Sequence, residues 1–137
     1  SLQRRRGIRR MTREDLIDRL WVKAEPLFFA TKDEFVSGLS DWDIYPVADA
    51  SGAVVVIVAT NGPHMHFETT ETGRPITRRI VHRVLDPLIE KFGYAVTKTP
   101  KIELRQRRFN ELIGFVVVGE DEYDILYEIK NIRGCRP

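Results

Sequence analysis

The run ITRRIVHRVLDPLIEKF, Ile76 to Phe92, carries the strongest helical signal in the chain. Ile76, Ile80, Val81, Val84, Leu85, Leu88, Ile89 and Phe92 recur at three- to four-residue spacing and line up as one apolar stripe. Arg78, Arg79, Arg83 and Glu90 fall on the opposite face, and His82 is expected to be exposed on that polar side. Pro87 deletes one backbone donor inside the pattern and predicts a kink. Gly93 ends the helix.

Both flanks of this helix read as strands. Upstream, His64 to about Thr70 is a strand preceded by the turn Asn61-Gly62-Pro63. Before it, Ala53 to Thr60 is a strand whose unbroken apolar run, Val54 to Val58, predicts cover on both faces. Ser51-Gly52 turns that strand back from Asp43–Asp49, so the three make an antiparallel meander. Thr31 to Gly38 is a short helix. Thr12-x-x-Asp15 approximates a capping box that opens the first helix, with Leu16, Ile17, Leu20, Trp21 and Ala24 on one face. Pro26 ends or kinks it, and Phe28 and Phe29 carry apolar surface beyond. Downstream, a strand from Tyr94 to Thr99 stops at Pro100, and a basic helix covers about Lys101 to Ile113 and ends at Gly114. Strands Phe115 to Gly119 and Tyr123 to Ile129 flank the acidic turn Glu120-Asp121-Glu122. The order ααβββαβαββ predicts an α/β (α+β) domain with a mixed sheet flanked by helices.

The chain has 137 residues, 42% hydrophobic and 31% charged, which suits one globular domain with a core of its own. Its one cysteine, Cys135, excludes an internal disulfide and any multi-cysteine zinc site, and points to a reducing, cytoplasmic setting. No apolar run approaches the roughly 18 residues of a membrane span, and no signal-peptide core follows the basic start. The net charge of +2 hides an asymmetry, because Arg4, Arg5, Arg6, Arg9 and Arg10 crowd the first ten positions. Without them 17 basic residues face 20 acidic ones. Residues 1–10 read as a basic arm, disordered or added to the natural chain, with Met11 as a candidate start and 11–137 as a single domain.

His64, His66 and Glu68 alternate along one strand and so project to one face, where a histidine beside a carboxylate can serve as a general base. The same alternation suits histidines packed or solvated on a strand. His64-x-His66 lacks a third ligand, so no metal site is expected. Lys101, Arg105, Arg107 and Arg108 give the later helix a basic face. Glu103 and Glu111 interrupt it and no aromatic platform is interleaved, so nucleic-acid binding is not expected.

The run Arg107-Arg108-Phe109-Asn110-Glu111-Leu112-Ile113-Gly114-Phe115 resembles the "R-R-F-Y-E-x-x-G-F" signature of the GNAT superfamily of N-acetyltransferases. The order of strand, loop, long helix, short strand, helix and Gly-Phe step resembles that family too. The resemblance implies a GNAT-like, mostly antiparallel central sheet, acetyl-CoA as cofactor, a primary amine as acceptor, and pairing into a homodimer. In the family the strand matching His64, His66 and Glu68 lines the acetyl group, which makes these three the catalytic candidates, and the leaving thiolate would take its proton from water or from another group such as Tyr123 or Tyr127. The resemblance implies cofactor contacts at Phe67, Thr69, Thr72, Gly73, Arg74, Ile76, Thr77, Arg78, Arg79, Arg105, Arg108 and Asn110. The match departs from the family in the phosphate loop, at the acid, and at Glu103 and Gln106, which stand where Asn and Ala are frequent. The phosphate loop, Q/R-x-x-G-x-G/A in the family, reads Thr72-Gly73-Arg74-Pro75-Ile76-Thr77 here. Pro75 lacks an N–H, and Thr77 adds a side chain where close backbone approach matters. Asn110 stands where the family's acid tyrosine is usual, and an amide does not donate a proton as a phenol does. These departures keep a second reading open: a GNAT-fold binding or assembly protein without transfer activity, similar to small proteins of phages and prophages.

Overall fold

The computed structural model describes residues 11–27, 31–70 and 72–133. The basic arm, Phe28, Phe29 and Cys135 lie outside the described residues. Helices α1 (Arg13–Ala24) and α2 (Lys32–Gly38) precede strands β1 (Asp43–Ala48), β2 (Val54–Asn61) and β3 (His64–Thr69). Then follow α3 (Arg78–Phe92), β4 (Ala95–Pro100), α4 (Leu104–Ile113), β5 (Val116–Glu120) and β6 (Asp124–Ile129). Among the described residues the α-helices and strands follow the expected order ααβββαβαββ, with a short 3-10 helix, Glu25–Leu27, after α1. A six-stranded sheet runs β1-β2-β3-β4-β6-β5; β1 with β2, β4 with β6 and β5 with β6 pair antiparallel, and β3 pairs parallel with β4, His64 opposite Val96.

The chain divides by its contacts into two compact units. The first takes the described residues through Asn61 together with Phe67–Ile76, and the second takes Gly62–His66 with Thr77 onward.

In the first unit Thr12 caps α1 as its sequence predicts. Its hydroxyl accepts the Asp15 N–H at 3.1 Å, and the Asp15 carboxylate takes the Thr12 N–H in return. Thr31 and Glu34 repeat the device on α2. The apolar stripe of α1 puts Leu16 and Leu20 against Ile57, with Met11, Phe35, Leu39 and Ile44 closing around them. The Arg13 guanidinium donates to the Leu39 and Trp42 carbonyls at 2.6 Å, which ties α1 to the turn after α2. Val55 to Ala59 of β2 are buried without a break, as the continuous apolar run requires.

In the second unit α3 buries Ile80, Val81, Val84, Leu85 and Leu88 and packs on β4. It starts at Arg78, two residues later than periodicity suggests, because the Thr77 hydroxyl takes the Ile80 N–H and caps it. It continues through Pro87 as one element, and Gly93 closes it in the left-handed conformation, φ 85°. His82 is not simply exposed. It is half-buried, with Nδ1 at 3.0 Å from the Asp86 carboxylate one turn on. The basic helix starts at Leu104 instead of Lys101. β4 extends through Pro100, and residues 101–103 form a tight turn closed by the Glu103 N–H on the Pro100 carbonyl.

Candidate functional site

Strand β3 alternates as its sequence predicts. Met65 and Phe67 are buried, while His66 and Glu68 are half-buried and His64 is exposed on the other face. The three catalytic candidates of this strand therefore share its open side. Phe67 is buried, and Thr69 is exposed.

The segment after β3 is anchored to the start of β2. Thr70 donates its N–H to the Val55 carbonyl at 3.1 Å and its hydroxyl to the Val54 carbonyl at 2.7 Å. The Thr72 hydroxyl accepts the Arg74 N–H at 3.3 Å, and Gly73 takes φ 67° between them. The side chain of Arg74 is fixed as well: its Nε donates to the Asp49 carboxylate in the β1–β2 turn. Asp49 also accepts the Ser51 N–H at 2.9 Å and the Ser51 hydroxyl at 2.5 Å. These donors, Ser51 first and Arg74 next, hold the Asp49 carboxyl down to about 2. Ile76 is half-buried, and Thr77, Arg78 and Arg79 are exposed at the first turn of α3. The N-terminal end of a helix carries partial positive charge and N–H groups suited to an anion. Pro75 contributes no N–H to it.

A second polar group lies where α4 meets β4 and β6. Asn110 is fully buried; its amide donates to Thr99 Oγ1 and accepts from Gln106 Nε2, both at 2.9 Å. Both ends of its side chain are engaged by Thr99 and Gln106. Tyr127 is enclosed too. Its ring stacks edge-on against Phe115, and its hydroxyl donates to Glu111 at 3.1 Å. Burial is the main reason its phenol sits above the ordinary tyrosine range, with the nearby Arg107 guanidinium opposing it and the Glu111 carboxylate adding to it. Arg107 donates to the Lys101 carbonyl at 2.9 Å. Tyr123, just before β6, is 60% exposed, so the two candidate acids are not equivalent. Arg105 and Arg108 project into solvent one turn apart on α4.

Among the described residues, no three His, Cys, Asp or Glu side chains converge as metal ligands, and no helix is long and apolar enough to cross a membrane. Reading the sequence missed Asp49, Thr99, Gln106 and Glu111. Asp49-x-Ser51-Gly52 signals a side-chain-capped turn, but nothing local announces an arginine partner 25 residues away.

No protein-family model matches the sequence, and no curated protein matches it. Solved structures do. A protein assigned to the GnaT family of acetyltransferases from Bordetella pertussis matches with a TM-score of 0.60 over 87% of this chain and 90% of its own, at 17% identity. A chimera of the spermidine N-acetyltransferase SpeG from Vibrio cholerae with hSSAT gives 0.58 over 87% and 91%, at 16% identity. A ribosomal-protein-S5-alanine acetyltransferase from Vibrio fischeri gives 0.51 over 77% and 73%, at 17% identity. With its strand order, its long capped helix after β3 and this likeness over most of its length, the chain has the GNAT fold.

Proposed function

We propose that this chain is an acyl-CoA-dependent N-acetyltransferase acting on a primary amine. The observation that carries the reading is the likeness to three acetyltransferase structures over 77% to 87% of the chain. Those proteins act on different acceptors by their names, spermidine in one and a ribosomal protein alanine in another, so the acceptor here is left as an amine.

A phosphate-bearing cofactor is suited in charge by Arg74 in the first unit and, separately, by Arg78, Arg79 and the N-terminus of α3 in the second, and less well in backbone donors because of Pro75. When bound, acetyl-CoA supplies an activated thioester and a thiolate leaving group. The chain's own contribution is positioning and proton handling. His66, half-buried beside Glu68 on the open side of β3, takes the proton that the attacking amine must lose. Tyr123 is the accessible phenol for protonating the leaving sulfur; Tyr127 is enclosed and already donates to Glu111.

Calorimetric titration with acetyl-CoA and with coenzyme A tests the reading. Micromolar binding, about −8 kcal/mol, is expected, weakened in Arg78→Ala and Arg79→Ala. His66→Ala is expected to slow transfer to a responsive amine by about a hundredfold or more while leaving cofactor affinity in place. An unchanged rate removes His66 from the mechanism. No binding at millimolar cofactor overturns the proposal.

A further inference from the structure

The β1–β2 turn has no part in the proposed chemistry, yet it holds one of the proposed cofactor ligands. Asp49 receives the Nε–H of Arg74, and only 12% of its side chain reaches solvent. Among the described residues Arg74 is bound by that edge alone. Among the described residues its two terminal amino groups have no hydrogen-bond partner, and its side chain is 48% exposed. Its backbone is fixed as well, through the Thr72 hydroxyl and from there through Thr70 to the Val54 carbonyl. The carboxylate is satisfied on its other side by the N–H and hydroxyl of Ser51.

We propose that Asp49 is a positioning residue: with Ser51 it fixes Arg74 so that the two free amino groups of the guanidinium are aligned to receive a phosphate of the cofactor. This rests on the cofactor reading above. An unanchored arginine loses rotamer freedom when it closes on a ligand, and this one has lost it already. The anchoring carboxylate takes three donors, two from Ser51 in the turn and one from Arg74 itself.

The sign of the effect makes the inference sharp. Asp49→Asn removes a negative charge close to an anion site, so electrostatics alone predict tighter binding of coenzyme A. Loss of positioning predicts weaker binding. Asn at 49 can still accept the Ser51 N–H and keep the turn, which separates loss of the charged anchor from loss of the fold.

Coenzyme A is titrated into the full chain and into Asp49→Asn, Asp49→Glu, Arg74→Ala and the Asp49→Asn/Arg74→Ala double variant. The Arg74 Nε–Hε resonance is followed by NMR in the absence of ligand. Expected are weaker binding in Asp49→Asn by about three- to tenfold and partial recovery in Asp49→Glu. The double variant should bind no more weakly than Arg74→Ala, because the two residues act as one unit. The Nε–Hε signal should be protected from exchange in the natural chain and not in Asp49→Asn. Unchanged or tighter binding in Asp49→Asn, additive losses in the double variant, or an Nε–Hε signal indifferent to residue 49 would each overturn the inference while leaving the cofactor reading intact. Failure of the natural chain to bind coenzyme A overturns both.

Discussion

Asn110 is the residue whose place in the fold departs furthest from its sequence resemblance. Aligned by sequence it stands at the family's acid tyrosine, and the fold puts it in the core with Thr99 and Gln106 closing both ends of its amide. Restoring a tyrosine there would therefore not restore an acid. Asn110→Tyr forces a larger ring into a site with no exposed surface and is expected to cost about 1–3 kcal/mol by overpacking, with no gain in turnover. Asn110→Ala strips Thr99 and Gln106 of their shared partner and is expected to cost a similar amount, about 1–3 kcal/mol, chiefly from unmet polar groups. Urea unfolding of both variants checks the stability, and a transfer assay checks the tyrosine. A tyrosine variant that is as stable as the natural chain and turns over faster would show that residue 110 faces the reacting groups after all.

At the scale of elements, glycine separates what was legible from what was not. Gly93 and Gly114 both read as helix terminators, and both are, but for different physical reasons. At Gly93, φ is 85° and a Cβ would meet nothing within 4 Å, so only the left-handed backbone demands glycine. At Gly114, φ is 121° and a Cβ would stand 2.8 Å from the Asn131 carbonyl oxygen and 2.9 Å from the Arg133 nitrogen. The chain after β6 crosses there, held by the Arg133 N–H on the Ile113 carbonyl at 2.7 Å. Gly93→Ala is expected to cost about 1 kcal/mol. Gly114→Ala should cost about 3 kcal/mol or more, since a backbone cannot yield as a flexible side chain does. Equal losses in thermal or urea melts would mean that the crossing segment gives way. Periodicity, caps and turn residues are local signals, and they revealed the order of α-helices and strands among the described residues, the buried faces of α1 and α3 and the two-sided burial of β2. The late starts of α3 and α4 came from local competition, a threonine cap in one and a proline-ended strand in the other. What could not be read were pairings distant in sequence: Arg74 with Asp49, Asn110 with Thr99, Tyr127 with Glu111, residues 131–133 over Gly114. The candidate site is built largely from such pairings, so residue types were legible there and partners were not.

For the molecule as a whole, the same pairings set how stability responds to pH, and each compact unit carries an acid-sensitive and an alkali-sensitive group. Asp49 in the first unit is held at about 2, below its ordinary 3.8, first by Ser51 and then by Arg74. Asp121 in the second is lowered by the backbone N–H groups of Asp124 and Tyr123. A lowered carboxyl contributes stability that is fully present above its unfolded value and is lost as the pH falls through its folded one. Tyr45 and Tyr127 are shifted the other way, each mainly by burial, above the ordinary 10.0. A raised phenol contributes fully below pH 10 and loses that contribution as the pH climbs through its folded value. Urea midpoints of the natural chain, Asp49→Asn and Tyr127→Phe, measured between pH 2 and 11.5, should therefore differ by amounts that depend on pH in opposite directions. The deficit of Asp49→Asn should be constant above about pH 4 and close toward pH 2, where the natural carboxylate is protonated as well. The deficit of Tyr127→Phe, which lacks the hydroxyl given to Glu111, should be constant up to about pH 10 and then shrink or reverse. Phenylalanine has no proton to lose, whereas the natural chain must bury a phenolate or unfold. A deficit for either variant that stays level across the whole range would mean that its group ionises in the folded chain as it does in the unfolded one, and the hydrogen bonds and burial assigned to it here would have to be withdrawn.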